Sequence, residues 1–331
     1  MKFLKFIFMF IILTIIVAYA FLWLSSIKKY PVEYGISFSE GHATYLGLDW
    51  KETYQKMLTE LKPKYIRISA AWNYVEKEKG NFDFSHVDYM MEEARKAGTK
   101  VTLVIGQKAP RWPECYVPDW ASTMEDKDYA NSLKNYIETT VKRYKDNSAL
   151  EYWQVENEPF IPFQFGECAN FHQDLVEDEV KLVNYLDAPH WVIVTDSGEL
   201  SWWKKASKTG DLFGTTIYRV VRTPKGFIWK YDWLPASFYR YKAQLFGIHL
   251  ESMYVSELQA EPWFTDAGPN ETSLEEQMKT MDLKRLEKHV NFVERIGVSR
   301  AYLWGVEWWY WMSEKHGDDS YINFVKDLMK K

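Results

Sequence analysis

The chain has 331 residues, 47% of them hydrophobic and 17% aromatic, with 16 Trp and 22 Tyr. That length suits one large domain or two ordinary ones with a substantial core. The net charge of −5, with no basic cluster, argues against a nucleic-acid partner.

The first stretch, MKFLKFIFMFIILTIIVAYAFLWLSSIKKYP, reads as a segment apart (1–30) from the domain that follows (31–331). Lys2 and Lys5 precede an apolar run from Phe6 to Leu24, about the length that crosses a bilayer. Ala18-Tyr19-Ala20 has the form of a signal cleavage site, but FLWL continues the apolar run beyond it. The expectation is an uncleaved membrane anchor, with a cleaved secretory signal as the alternative. Either way, positive residues stay inside and the domain works outside the cytoplasm.

From residue 31 on, short apolar strands alternate with amphipathic helices. EYGISFSE precedes the helix WKETYQKMLTEL, and YIRISAAW precedes SHVDYMMEEARKAG. In the latter, Val87, Met90, Met91 and Ala94 keep helical spacing and Gly98 stops the helix. KVTLVIGQ leads to a long helix over 126–144, and LEYWQVENEP to one over 175–185. WVIVTDSGE is followed by a short Trp-rich helix, and LFGTTIYR by an aromatic segment reaching Phe246. SMYVSELQAEPW precedes a helix over 274–297, and AYLWGVEWWYW precedes the C-terminal helix INFVKDLMKK.

Eight strand–helix pairs without a linker predict a single α/β domain, a closed (β/α)8 TIM barrel. A doubly wound open sheet is the alternative, but no Gly-rich phosphate turn follows the first strand. In a barrel, the groups at the C-terminal strand ends converge on one cleft. Those groups are His42 with Ser39 and Glu40, Arg67 leading to Trp72, Gln107 with Lys108, Asn157 with Glu158, Tyr218 with Arg219, Glu257 with Glu261, and Trp304 with Glu307. The many aromatics serve core packing or a sugar-binding cleft, since their faces stack on the apolar faces of pyranose rings.

Glycoside hydrolysis needs two carboxylates flanking the scissile bond. Glu158 and Glu257 end strands four and seven, on different sides of the expected cleft. VENEP and VSELQ resemble the clan A glycoside hydrolases, the retaining "4/7" enzymes that include cellulase-like, β-galactosidase-like and β-mannanase-like families. RISAAWNYVEKEKGNFDFSHVD and VTLVIGQKAPRWPE are similar to the early barrel of those families, and the resemblance covers roughly residues 33–315.

The resemblance implies a retaining hydrolase of β-linked glycans, with Glu158 as acid/base and Glu257 as nucleophile. It implies that Arg67 and Tyr218 hold the nucleophile, that Asn157 grips the sugar 2-hydroxyl, and that Trp304 is the platform beneath the sugar. His42 and Trp72 are further candidates for binding substrate. Asn157 and Glu158 are adjacent yet both must face the cleft, so the strand must end or bulge there, near Pro159. Glu156 then reads as a structural group inside the barrel. Glu261, in AEPW, is the rival nucleophile.

The chain departs from those families where a histidine often ends strand three, since GQKAPRW stands there. Lys108 and Arg111 read as surface charges or as contacts to a polar sugar. No histidine shows metal-ligand spacing, and neither metal nor cofactor is expected. Cys115 and Cys168 fall in neighbouring loops after strands three and four, so an exported chain could join them in a disulfide. Asn270-Glu271-Thr272 has the form of a glycosylation sequon.

The expected partners are an oligosaccharide or polysaccharide and a membrane met through the N-terminal helix. Transglycosylation on the same site, or a carbohydrate-binding barrel without catalysis, are the competing readings. The aromatic segment GFIWKYDWLPASFYRYK borders the cleft or lies against the membrane surface.

Overall fold

A computed structural model describes residues 2–163, 166–168, 171–223, 225–265 and 267–330. Eight strands form the barrel: β1 (Glu33–Ser37), β2 (Tyr65–Ser69), β3 (Lys100–Ile105), β4 (Leu150–Val155), β5 (Val192–Ser197), β6 (Leu212–Ile217), β7 (Met253–Gln259) and β8 (Arg300–Trp304). Each is parallel to its neighbours, in the order β1-β8-β7-β6-β5-β4-β3-β2, and β1 closes on both β2 and β8. Helices cover the outside, so both faces of the strands are buried. This is the closed (β/α)8 barrel that the alternation predicts.

Local signals set the helix ends. Asp49 caps the helix Trp50–Lys56 by accepting the N–H groups of Lys51 and Glu52. Gly98 ends Ser85–Ala97 in the left-handed conformation, at φ 71°. The expected helix over 274–297 is two helices, Leu274–Met278 and Leu283–Val293, because Asp282 caps a fresh start. The Trp-rich segment after β5 yields only Ala206–Thr209. β8 stops at Trp304, and GVEWWYW turns into the helix Val306–His316, so Glu307 sits in a first helical turn and not on a strand.

The aromatic segment after β6 forms a hairpin, Val220–Arg222 with Ile228–Lys230, and then the helix Ser237–Leu245. At the barrel floor the Arg300 guanidinium lies 3.4 Å from the ring centre of Tyr65 and 5.1 Å from that of Tyr254. It pairs with Glu151 at 2.7 Å. That arrangement neutralises a cation inside the core.

The N-terminal helix (Lys2–Ser25) leaves the barrel with its apolar side chains exposed. Its last turn is tied to the barrel. Ser237 donates its N–H to Ser26 Oγ at 2.9 Å and its hydroxyl to Leu22 O at 2.6 Å. Arg295 donates to Ser26 O at 3.1 Å, and Lys29 pairs with Glu294 at 2.6 Å.

Candidate active site

β2 carries the buried Arg67 to the middle of the cleft floor. Its guanidinium donates to Glu257 Oε1 at 2.8 Å, Asn157 Oδ1 at 2.9 Å and Gln154 Oε1 at 2.8 Å. One arginine therefore ties β2 to β4 and β7. The opposite oxygen of Glu257, Oε2, accepts from Tyr218 OH at 2.6 Å. Burial and the neighbouring Glu257 charge push the Tyr218 hydroxyl well above its usual range, so it remains a neutral donor.

Glu257 is aimed by a bulge. Along β6, Thr215 faces Val255 and Thr216 faces Glu257, so Ser256 is the extra residue in β7. β8 shows the same slip between Ala301 and Leu303.

β4 solves the adjacency of Asn157 and Glu158 differently. The strand ends at Val155, and Glu156 and Glu158 both take left-handed backbone, at φ 61° and 45°. Two left-handed residues around Asn157 break the pleat. Glu158 N–H donates to Thr195 Oγ1 at 2.9 Å, and Thr216 Oγ1 donates to Glu158 Oε1 at 2.7 Å. Burial, and then the Glu257 charge, raise the Glu158 carboxyl to about 8.

Glu156 is fully buried. Its carboxylate accepts the backbone N–H groups of Gln107 and Lys108, each at 2.6 Å. It also meets the Glu179 carboxyl, which burial and Glu156 itself push well up. Glu179 therefore holds the proton and Glu156 the charge.

Gly106 lets this happen. A Cβ there would lie 2.3 Å from Glu156 Oε1, and φ is 122°. Gly106→Ala is expected to destabilise the fold by at least about 2 kcal/mol, read as a lower urea midpoint at unchanged slope.

The loop after β3 carries one residue that the sequence did not single out, Glu114, beside Lys108 and Arg111, which it did. Glu114 is buried, at φ 72°, and accepts from Asn157 Nδ2 at 3.1 Å. Burial lifts its carboxyl to about 7. Arg111 is also buried and not a surface charge. Its guanidinium grips Glu261 with two nitrogens and Glu307 at 2.7 Å, and it lies 4.0 Å from the Trp304 ring centre. Lys108 is likewise buried, with Nζ 3.5 Å from Glu158 O.

This loop is joined to the one after β4 by the disulfide Cys115–Cys168, with Cα atoms 5.2 Å apart. Only a left-handed backbone at Arg111 and Glu114 turns these side chains inward. Glu114, between Pro113 and Cys115 in a loop, gives no periodic signal, so position alone could not single it out.

The remaining candidates divide. His42 lies beside this cluster, Nε2 3.9 Å from Glu261 Oε2, and burial followed by Arg111 keeps it neutral. Trp304 ends β8 in the cleft, but Arg111 lies over its ring. Trp72 is not brought to the cleft. It is fully buried, donates to Glu76 Oε2 at 2.8 Å and packs on Trp120, Tyr129 and Tyr136. Glu261 belongs to Arg111, whereas Arg67 and Tyr218 both hold Glu257. Asn270 uses its side-chain amide to join Tyr45 O and the Trp311 indole, at 3.0 Å each.

Glu114 also tunes Glu158, because its negative charge raises that carboxyl. Glu114→Gln removes the charge, so Glu158 should lose its proton at lower pH. A titration of the Glu158 carboxyl in that variant should place its midpoint below about 8, and an unmoved midpoint would separate the two groups.

The sequence model of Glycosyl hydrolase family 10 matches residues 51–178. A mannan endo-1,4-β-mannosidase A of Aspergillus aculeatus is 26% identical over 119 residues, 34% of this chain and 31% of that protein. β-Galactosidase BgaH of Haloferax lucentense is 27% identical over 125 residues, 32% of this chain and 19% of that protein. The chain thus spans under a third of the length of these curated relatives.

Among solved structures, an intracellular xylanase of Thermoanaerobacterium saccharolyticum superposes with a TM-score of 0.54. It is 14% identical and covers 86% of this chain and 88% of its own. A GH5_18 protein of Bifidobacterium longum subsp. infantis gives 0.59 at 13% identity, over 83% and 69%. These two show the architecture. The family match and the mannosidase and galactosidase relatives make the chain similar to clan A glycoside hydrolases over those residues.

Proposed function

We propose that this chain is a retaining glycoside hydrolase acting on a β-linked glycan, with Glu257 as nucleophile and Glu158 as acid/base. The observation that carries it is the unlike treatment of two facing carboxylates. Glu257 accepts from Arg67 and Tyr218, whereas burial and the Glu257 charge keep a proton on Glu158 up to about 8. An anionic nucleophile and a protonated acid are the starting states of double displacement.

A Glu257 oxygen attacks the anomeric carbon while Glu158 gives its proton to the leaving glycosidic oxygen. The glycosyl–oxygen bond breaks and a glycosyl ester forms on Glu257. Glu158, now ionised, takes a proton from water, whose oxygen attacks the anomeric carbon and frees Glu257. Asn157 is fixed between Arg67 and Glu114 and still has an amide hydrogen to offer a sugar hydroxyl. Arg111 lies over the Trp304 ring and His42 beside Glu261, so both would border a sugar held there. The N-terminal helix, with its 23-residue span Phe3–Ser25 of hydropathy 2.7, anchors this domain at a membrane on its extracytoplasmic side.

The test is a panel of aryl β-glycosides and β-glucan, mannan and galactan oligosaccharides, with the first-formed anomer read by NMR. A β product names the sugar and supports the double displacement. A first-formed α product would overturn it. Oligosaccharide binding without turnover would favour a carbohydrate-binding barrel.

A further inference from the structure

Phe227, Trp229, Tyr231 and Trp233 form a ladder of rings. Successive centres are 6.5, 6.3 and 6.4 Å apart. The cleft does not cover them, since Phe227, Trp229 and Trp233 are 62%, 43% and 51% exposed. Water is a poor environment for so many adjacent rings.

The ladder starts beside the N-terminal helix. Tyr19 OH donates to Trp233 O at 2.6 Å, and the Tyr19 ring meets Trp23 edge-on at 6.3 Å. A helix rises about 1.5 Å per residue, so an apolar layer about 30 Å thick entered at Phe3 is left near residue 22. Tyr19 and Trp23 stand at that exit, and Trp233 stands with them. Indole and phenol rings favour that depth, and the exposed Lys225 and Lys230 beside the ladder suit anionic headgroups.

We infer that the Phe227–Trp233 ladder is a docking surface for a phospholipid bilayer, seated in the headgroup layer beside the helix. This rests on the reading that the helix spans a membrane. The ladder also reaches the cleft. Tyr231 N–H donates to Arg219 O at 2.9 Å, and Arg219 follows Tyr218, which holds Glu257. Docking would therefore set the cleft mouth at the bilayer surface, against glycans carried there and not free in bulk solution.

The full chain would be placed in phosphatidylcholine–phosphatidylglycerol nanodiscs, with or without lipids brominated near the ester. Tryptophan quenching would be compared with that of Trp229→Phe/Trp233→Phe, whose melting temperature is checked first. The expected result is that the quenched signal falls roughly threefold in the variant, as three interfacial indoles become one. Equal quenching in both, arising from Trp23, would overturn the docking surface and leave the anchor standing. No quenching in either would overturn the anchor and the docking with it.

Discussion

Glu257→Gln is expected to lower kcat by on the order of 10⁴-fold or more, because it removes the carboxylate proposed to form the covalent bond. The substitution keeps the shape and leaves Arg67 and Tyr218 in place. It removes the anion that both of them face. The buried Arg67 then lacks its countercharge, so stability should fall by about 3 kcal/mol. Measuring kcat and the urea midpoint on one preparation separates the two effects. A folded variant with no burst of aryl alcohol supports the assignment. Activity surviving the substitution would point to Glu261, which Arg111 now holds away from that role.

Glu158→Gln should behave differently with different leaving groups. Loss of the proton donor costs about 10²–10⁴-fold on a poor leaving group. It costs far less with a dinitrophenyl glycoside, which needs no proton to depart. The glycosyl ester should then accumulate, since nothing deprotonates the incoming water. Azide needs no such base, so it should restore turnover and release a β-glycosyl azide. On the proposed mechanism the protonated carboxyl is the active form, so kcat/KM should decline as pH rises through about 8. In the variant that decline should vanish. An alkaline limb that persists would assign it to another group, with Glu114, raised to about 7, the first to test.

The barrel was legible because each strand is a short apolar run punctuated by a capped helix, and eight such units close on themselves. Glu158 and Glu257 were legible because Asn-Glu-Pro and a second strand-end Glu are local patterns. Arg67 and Tyr218 beside Glu257 were expected from the resemblance, but the rest of the support was not. Arg111 and Glu114 act through left-handed turns in a loop, and such turns leave no period in the sequence. Thr216 and Gln154 look like ordinary strand residues until the barrel brings them to Glu158 and Arg67. Trp72 misled because a Trp near a strand end can turn either way, and here three aromatic neighbours and Glu76 draw it into the core. The adjacency of Asn157 and Glu158 announced a break in the pleat, but only the backbone shows that two residues share it.

The shared proton between Glu156 and Glu179 gives the fold an alkaline limit of its own. Glu179 is raised, so what the pair contributes is complete in acid and fades as pH climbs through its folded value. Losing that proton would leave two buried anions facing each other beneath the turn that presents Glu158. Base would therefore act twice. It would silence the donor, reversibly, and it would spring the turn that aims it. Recovery after a return to neutral pH should then depend on how long the chain was held in base.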